Sequence, residues 1–250
     1  MRNTNFSRYS RQYDLGIKPR IFIGKDLVRV KLGLKILKFR YKSDSDLENL
    51  LQLLEINYVL KTYSSLDVES ETVVDIGANV GDTAIYFAAS GAKHVYAVEP
   101  YPYTFRLAKE NIKLNNFGKE ITLINMGCGG KSGQVKVKNS HTNRLGDMLK
   151  DEGGRINIRV TTLRNLVRLY GLNGAILKMD CEGCEYEALL NVDNETLQKF
   201  RQMFIKYHKG CTTLVRKLKR AGFNLKILEP LPIKHGIREQ GLRGSIFAYR

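Results

Sequence analysis

Two acidic clusters carry the chemistry of this 250-residue chain. The first surrounds the glycine-rich run Asp75-Ile76-Gly77-Ala78-Asn79-Val80-Gly81-Asp82 and is joined downstream by Glu99 in Val95-Tyr96-Ala97-Val98-Glu99-Pro100. An apolar strand, a glycine turn, a helix start and a second strand ending in an acid form a βαβ unit that holds a nucleoside. Glu99 follows Asp75 by 24 positions, about the spacing of an acid that accepts hydrogen bonds from ribose hydroxyls. Glycine spacing then selects the nucleoside. A dinucleotide site needs glycines at the first, third and sixth places, so that backbone N–H groups approach a pyrophosphate. Counted from Gly77, those third and sixth places hold Asn79 and Asp82. A carboxylate at a helix N-terminus repels a pyrophosphate. It suits S-adenosylmethionine, which has no phosphate and carries a positive sulfonium and ammonium.

The second cluster is Asp180-Cys181-Glu182-Gly183-Cys184-Glu185, entered from the apolar run Ala175-Ile176-Leu177-Lys178-Met179. In a doubly wound sheet the carboxyl end of this strand lies beside that of the first strand. Asp180 and Glu182 are then expected over the methyl group of the cofactor, where carboxylates orient or deprotonate an acceptor hydroxyl or meet the cofactor's ammonium. Glu185 reads as a first-turn helix acid. His208, ending Phe204-Ile205-Lys206-Tyr207-His208, is a further candidate base if it titrates near neutrality. Its other reading is a structural histidine bonded to a backbone carbonyl. Cys181 and Cys184 have metal-ligand spacing, and Cys128 and Cys211 would complete four thiolates. Small apolar residues serve equally well at those positions, a role free cysteine often takes. No metal is assigned, because Asp180 and Glu182 have no further ligand cluster in the sequence.

These residues need a frame of alternating strands and helices. Strands are expected at 72–76, 94–98, 120–125, 175–179, 202–207, 224–228 and 244–249. Helices are expected at 82–90, 103–115, 162–170, 185–198 in one or two pieces, and 211–221, with Gly91 and Gly222 as stops. The pattern implies a mostly parallel sheet with helices on both faces. The stretch from Gly241 to Arg250 has no following helix and is expected to pair antiparallel at the sheet edge. Upstream, residues 27–41 alternate apolar with basic and suggest a hairpin turning near Gly33. Ser45 with Glu48 suggests a capping box for a helix through Leu47, Leu50, Leu51 and Leu54. Residues 1–18 read as a loose polar arm. The division is thus 1–66, a basic arm with hairpin and helix, and 67–250, the nucleoside-binding domain.

Composition sets the outer bounds. A hydrophobic content of 43% with 26% charged residues excludes a disordered chain. No apolar run reaches the roughly 20 residues of a membrane span. Arginines at the N-terminus are not followed by an apolar segment, so no secretory signal is read. Four cysteines do not suggest a disulfide scaffold, and a cytoplasmic location is expected. The net charge of +16 divides into +10 for residues 1–42, −5 for 43–198 and +11 for 199–250. Such flanks are either solvated surface or a grip for an anionic acceptor.

VVDIGANVGD, VYAVEP, Lys109-Glu110-Asn111-Ile112-Lys113-Leu114-Asn115, VTTLRNL at 160–166 and LKMDCEGCE together resemble the FkbM family of S-adenosylmethionine-dependent methyltransferases, over about residues 70–210. The resemblance implies a class I, Rossmann-like α/β fold whose seven-stranded, mostly parallel sheet has an antiparallel last strand. It implies cofactor contacts at Asp75, Gly77, Ala78, Asn79, Gly81 and Glu99, with Met126-Gly127 near the adenine. It also implies methylation of a hydroxyl oxygen on a sugar, glycan, lipid or other small molecule. Two departures make this chain more basic: Arg164 replaces a frequent acid, and Lys206 a common glutamate. Asp180 with Lys206 or Lys209 also partly resembles the lysine–aspartate arrangement of ribose 2′-O-methyltransferases, which keeps RNA as an alternative acceptor. A non-catalytic binding protein of the same fold is the third reading, opposed by the intact cofactor turn.

Overall fold

The computed structural model describes residues 19–137, 156–228 and 242–250. The arm read at 1–18 lies outside them. The chain opens with an antiparallel sheet of β1 (Arg20–Ile23), β2 (Leu27–Leu32) and β3 (Lys35–Arg40). Alternation works here as expected: Val28, Val30, Leu37 and Phe39 are buried, while Arg29, Lys31 and Lys38 face solvent. The expected hairpin is therefore β2–β3, and the four-residue β1 adds a third strand too short to announce itself.

Helix α1 (Asp44–Leu54) follows and ends in one π-helical turn, Glu55–Val59. Its cap is Ser43, whose hydroxyl accepts from the Asp46 N–H at 3.1 Å, and not the expected Ser45. A serine two residues earlier already satisfies the first free N–H groups, so the helix starts sooner.

The main sheet contains β4 (Thr72–Ile76), β5 (His94–Val98), β6 (Ile121–Ile124), β10 (Ala175–Met179), β11 (Phe200–Tyr207), β12 (Asn224–Leu228) and β13 (Gly244–Tyr249). Their order is β12-β13-β11-β10-β4-β5-β6, with β13 antiparallel to both neighbours and the other described pairings parallel. Every residue of β10 is buried, as in a central strand covered on both faces. Helices α2 (Asp82–Ala89), α3 (Pro102–Leu114), α4 (Leu163–Leu169), α5 (Cys184–Leu190), α6 (Asn194–Leu197) and α7 (Thr212–Arg220) connect the strands. Strand order reverses at β4, which lies between β5 and β10, and this opens a crevice at the strands' carboxyl ends.

One expectation is corrected and one sheet is added. The last strand is not at the edge: β13 inserts between β11 and β12, burying Ile246 and Ala248, while β12 takes the edge with four of its five residues exposed. A second small sheet, β7 (Gly127–Cys128), β8 (Gly133–Val137) and β9 (Ile156–Thr161), was not read from the sequence. Beyond that, the α3 asparagines fasten the N-terminal sheet to the rest. Asn111 Oδ1 accepts from the Arg40 N–H at 2.7 Å, Asn115 Oδ1 accepts from the Lys38 N–H at 2.8 Å, and Asn115 Nδ2 donates to the Lys38 carbonyl at 2.7 Å. They take the place of a strand along the open edge of β3. Among the described residues, no helix is long and apolar enough to cross a membrane.

Candidate functional site

The turn after β4 is a run of left-handed backbone, with φ of +80° at Gly77, +48° at Asn79 and +81° at Gly81. Gly77 is forced by proximity as well as by φ. A Cβ there would stand 2.0 Å from the backbone oxygen of Asp180. The two acidic clusters are thus in backbone contact, because β4 and β10 are neighbours and the Asp180 N–H donates to the Ile76 carbonyl at 3.1 Å.

Glu99, at the end of β5, closes this turn. Its Oε2 accepts from the Asn79 N–H at 2.9 Å and its Oε1 from the Tyr101 N–H at 3.0 Å. It is buried, and burial pushes its pKa up to about 7 against the pull of those two N–H groups. Asp82 begins α2 and is also buried. Its Oδ2 accepts from Asn57 Nδ2, while its Oδ1 is buried with no hydrogen-bond partner among the described residues. Burial raises Asp82 to about 7 as well. Gly77, Asn79, Asp82, Thr83, Glu99 and Asp180 line one cavity. A buried acid on the wall of such a cavity favours a cationic group such as an ammonium over a phosphate.

Asp75 does something different from what its place in the motif implies. It is fully buried, pairs with Lys178 Nζ at 2.8 Å and accepts from the Thr83 hydroxyl at 2.6 Å. Lys178 also donates to the Gly77 carbonyl at 2.8 Å. The pair is a brace beneath the glycine turn, and Asp75 does not line the cavity. Ala78 and Gly81 are likewise packed away, Gly81 against Ala108. Met126 is half-buried, and Gly127 is buried in β7 against Val160, Ile158 and Pro100; neither lines the cavity. The structure therefore brings Gly77, Asn79 and Glu99 to the cavity and sets the other five cofactor candidates behind or beside it.

The other side of the cleft is built at the ends of β10 and β11. Asp180 Oδ2 pairs with Lys206 Nζ at 2.7 Å and accepts from the Tyr63 hydroxyl at 3.4 Å. Burial opposes its charge, but Lys206, Lys178 and His208 outweigh burial and hold its carboxyl well below the usual range. Glu182 adopts φ +55° and precedes Gly183 at +115°, so the chain doubles back and turns both acids toward β11. His208 Nε2 lies 3.8 Å from Asp180 Oδ1 and 3.5 Å from Glu182 Oε2. On its other side, Nδ1 is 2.9 Å from Glu185 Oε1.

Three expectations change here. Burial disfavours a charged His208, yet the carboxylates of Glu182 and Glu185 prevail and push it up to about 10. It is an imidazolium at neutral pH, so near-neutral titration does not hold. Glu185 stands in the first turn of α5, as read, and is fully buried between His208 and the Gly183 N–H, which donates to it at 2.8 Å. Cys181 and Cys184 form a disulfide across the turn, while Cys128 and Cys211 are free. The pair has no thiolates to offer a metal. Arg164, read as making the site more basic, instead pairs with Asp193 at 2.6 Å and does not line the cleft.

Sequence reading passed over Lys178, Tyr63 and Asn57. Lys178 carried a signal, because a lysine inside an otherwise apolar central strand must be paired. Tyr63 and Asn57 arrive from the N-terminal segment and carried none.

A family model described as the methyltransferase FkbM domain matches residues 75–225. The chain is 30% identical over 160 residues to uncharacterised protein 158B of Sulfolobus islandicus rod-shaped virus 1, covering 62% of this chain and 74% of that one. It is 38% identical over 63 residues to protein arginine N-methyltransferase 1 of Oryza sativa subsp. indica, covering 25% of this chain and 16% of that one. Among solved structures it resembles methyltransferase FkbM from Methylobacillus flagellatus, with a TM-score of 0.51 and 16% identity over 83% of this chain and 56% of that one. The chain spans less than a third of the length of its curated archaeal and plant relatives. With the matched segment running from Asp75 of the glycine turn past His208, and covering more than half of the sequence, the chain belongs to the FkbM family of S-adenosylmethionine-dependent methyltransferases.

Proposed function

We propose that the protein transfers a methyl group to a hydroxyl oxygen of a sugar, glycan, lipid or related small molecule, with anionic acceptors included. The observation that carries this reading is Asp180: a carboxylate held ionised by Lys206, at the junction of the cofactor cavity and a wider cleft. S-adenosylmethionine supplies an electrophilic methyl group when bound. Asn79, Asp82 and Glu99 would hold it from the cavity side. Asp180 accepts a hydrogen bond from the acceptor hydroxyl and aims the oxygen lone pair at the methyl carbon. The hydroxyl becomes strongly acidic only as the oxygen–carbon bond forms, so a carboxylate that orients it suffices. Glu182, with a side chain 34% exposed against 20% for Asp180, leads the proton toward solvent. Lys206 and Arg243 line the wider cleft and favour an acceptor carrying phosphate or carboxylate.

Incubation with methyl-labelled cofactor and fractionated cell extract, followed by mass spectrometry of the labelled product, tests the reading. A methyl ether is expected. Label found on nitrogen, or as a base-labile methyl ester, refutes it.

A ribose 2′-hydroxyl of RNA is a second reading, supported by the Lys206–Asp180 pair and by the exposed Arg20, Arg29, Lys31 and Lys38 on one face of the N-terminal sheet. It requires RNA affinity that falls steeply with salt. Binding that is absent or insensitive to salt removes it.

A further inference from the structure

The sequence offered Asp180 and Glu182 without a third ligand; the fold supplies one from another strand. We propose that Asp180, Glu182 and His208 form a site for a divalent metal ion at the floor of the acceptor cleft. One ligand atom from each lies within 4.8 Å of the other two. Two ligands about 2.1 Å from an ion stand about 3.0 Å apart at a right angle and about 3.4 Å apart at a tetrahedral one. His208 Nε2 is 3.5 Å from Glu182 Oε2 and 3.8 Å from Asp180 Oδ1, so these two edges are within about 0.8 Å of those an ion imposes, and the Asp180–Glu182 edge, within 4.8 Å, closes by rotation of the two acid side chains.

The surroundings assign the atoms. Lys206 and Tyr63 both occupy Asp180 Oδ2, which leaves Oδ1 facing His208. The ammonium of Lys206 is thus a neighbour that orients the ligand, and it does not block the ligand atom. Glu185, fully buried, holds His208 Nδ1 at 2.9 Å and is itself fixed by the Gly183 N–H. A carboxylate on the far nitrogen of an imidazole sets the ring and makes Nε2 a better donor to a metal. The ion takes the place of the Nε2 proton. Both acids and the histidine line the open cleft, so further positions stay free for water or for an acceptor oxygen. Two carboxylates and one imidazole favour a hard or borderline ion such as Mn²⁺, and the two cysteines that flank Glu182 in sequence are tied up in the disulfide.

The role of the ion rests on the methyl-transfer reading: bound to the acceptor oxygen it lowers the hydroxyl's pKa. Binding itself does not rest on that reading. Calorimetric titration of the full chain with Mn²⁺, without cofactor or acceptor, is expected to show one ion per chain. E182Q and H208A should each weaken binding at least tenfold. E185Q should weaken it by about ten- to a hundredfold, as outer-shell changes do. K206Q should tighten it, by removing a nearby positive charge. Glu182 is partly exposed, so E182Q remains informative even where H208A fails to fold. No binding below millimolar Mn²⁺, or binding indifferent to E182Q, overturns the proposal and leaves methyl transfer standing. Intact Mn²⁺ binding without any labelled product overturns methyl transfer alone.

Discussion

Asp75→Asn tests the brace beneath the cofactor turn. The substitution keeps shape and most hydrogen bonding but removes one of two charges that are almost wholly buried, with Asp75 at 0% and Lys178 at 1% exposure. Breaking a buried ion pair from one side costs about 3–5 kcal/mol, since the remaining charge is left without compensation. The low end applies here, because Asp180 and Asp82 also act on Lys178 and favour its charged form. For a chain of this size about 3 kcal/mol lowers the melting temperature by about 6–12 °C. The double variant D75N/K178M removes both charges, and replacing a buried pair by neutral side chains is often neutral. It should recover at least half of the loss. Urea denaturation of wild type, D75N, K178M and the double variant gives the coupling energy directly. A D75N loss below 1 kcal/mol, or a double variant as unstable as the sum of the singles, refutes the brace.

Glu99→Ala should weaken binding of S-adenosylhomocysteine at least tenfold by calorimetry, since hydrogen bonds to a charged acceptor contribute about 1.5–3 kcal/mol each; unchanged affinity removes Glu99 from the cofactor site. The same carboxyl sets a pH dependence. Its folded pKa of about 7 lies above the unfolded value, so its contribution is fully present below about pH 4.5 and is lost as pH rises through 7. The stability of wild type minus that of E99Q should fall by about 3 kcal/mol across that window, and a flat difference contradicts the burial argument. Gly77→Ala places a methyl group on the Asp180 backbone oxygen at a positive φ, and should abolish cofactor binding or folding; a soluble variant with normal affinity would show that the two turns can separate. Asn115→Ala strips two hydrogen bonds from β3 and should cost about 1–2 kcal/mol, with faster amide exchange confined to β1–β3.

The main sheet was legible because its signals are local. Apolar runs at 72–76, 94–98 and 175–179 stand between glycines and acids, and each coincides with a strand. What escaped depends on distance. The β7–β9–β8 sheet pairs two residues, Gly127 and Cys128, with a strand some 30 positions away; β9 alternates Ile156, Ile158 and Val160 with polar residues, but β7 is too short to show a period and so names no partner for it. The insertion of β13 inside the sheet is decided by which strand buries Ile246 and Ala248, a matter of packing and not of pattern. In the site, residue types at one strand end were readable, as with Asp180 and Glu182. Their states were not: the charge on His208 follows from Glu182 and Glu185, and the latter is 23 positions away.

Charge joins the two halves of the site. Asp75 is answered by Lys178 and Asp180 by Lys206, each at under 3 Å. Among the described residues Asp82 and Glu99 have no such counter-ion in contact; both are buried, and both are pushed up to about 7 by burial. One oxygen of Asp82 has no hydrogen-bond partner at all among the described residues. Both acids line the cavity, where a cationic ligand favours their charged forms and a phosphate opposes them. On the proposed reading, a preference for a positively charged nucleoside is built into the turn. It is set by the same Asp82 whose place in the glycine motif first excluded a dinucleotide, and by the Asn57 that the N-terminal segment brings to hold it.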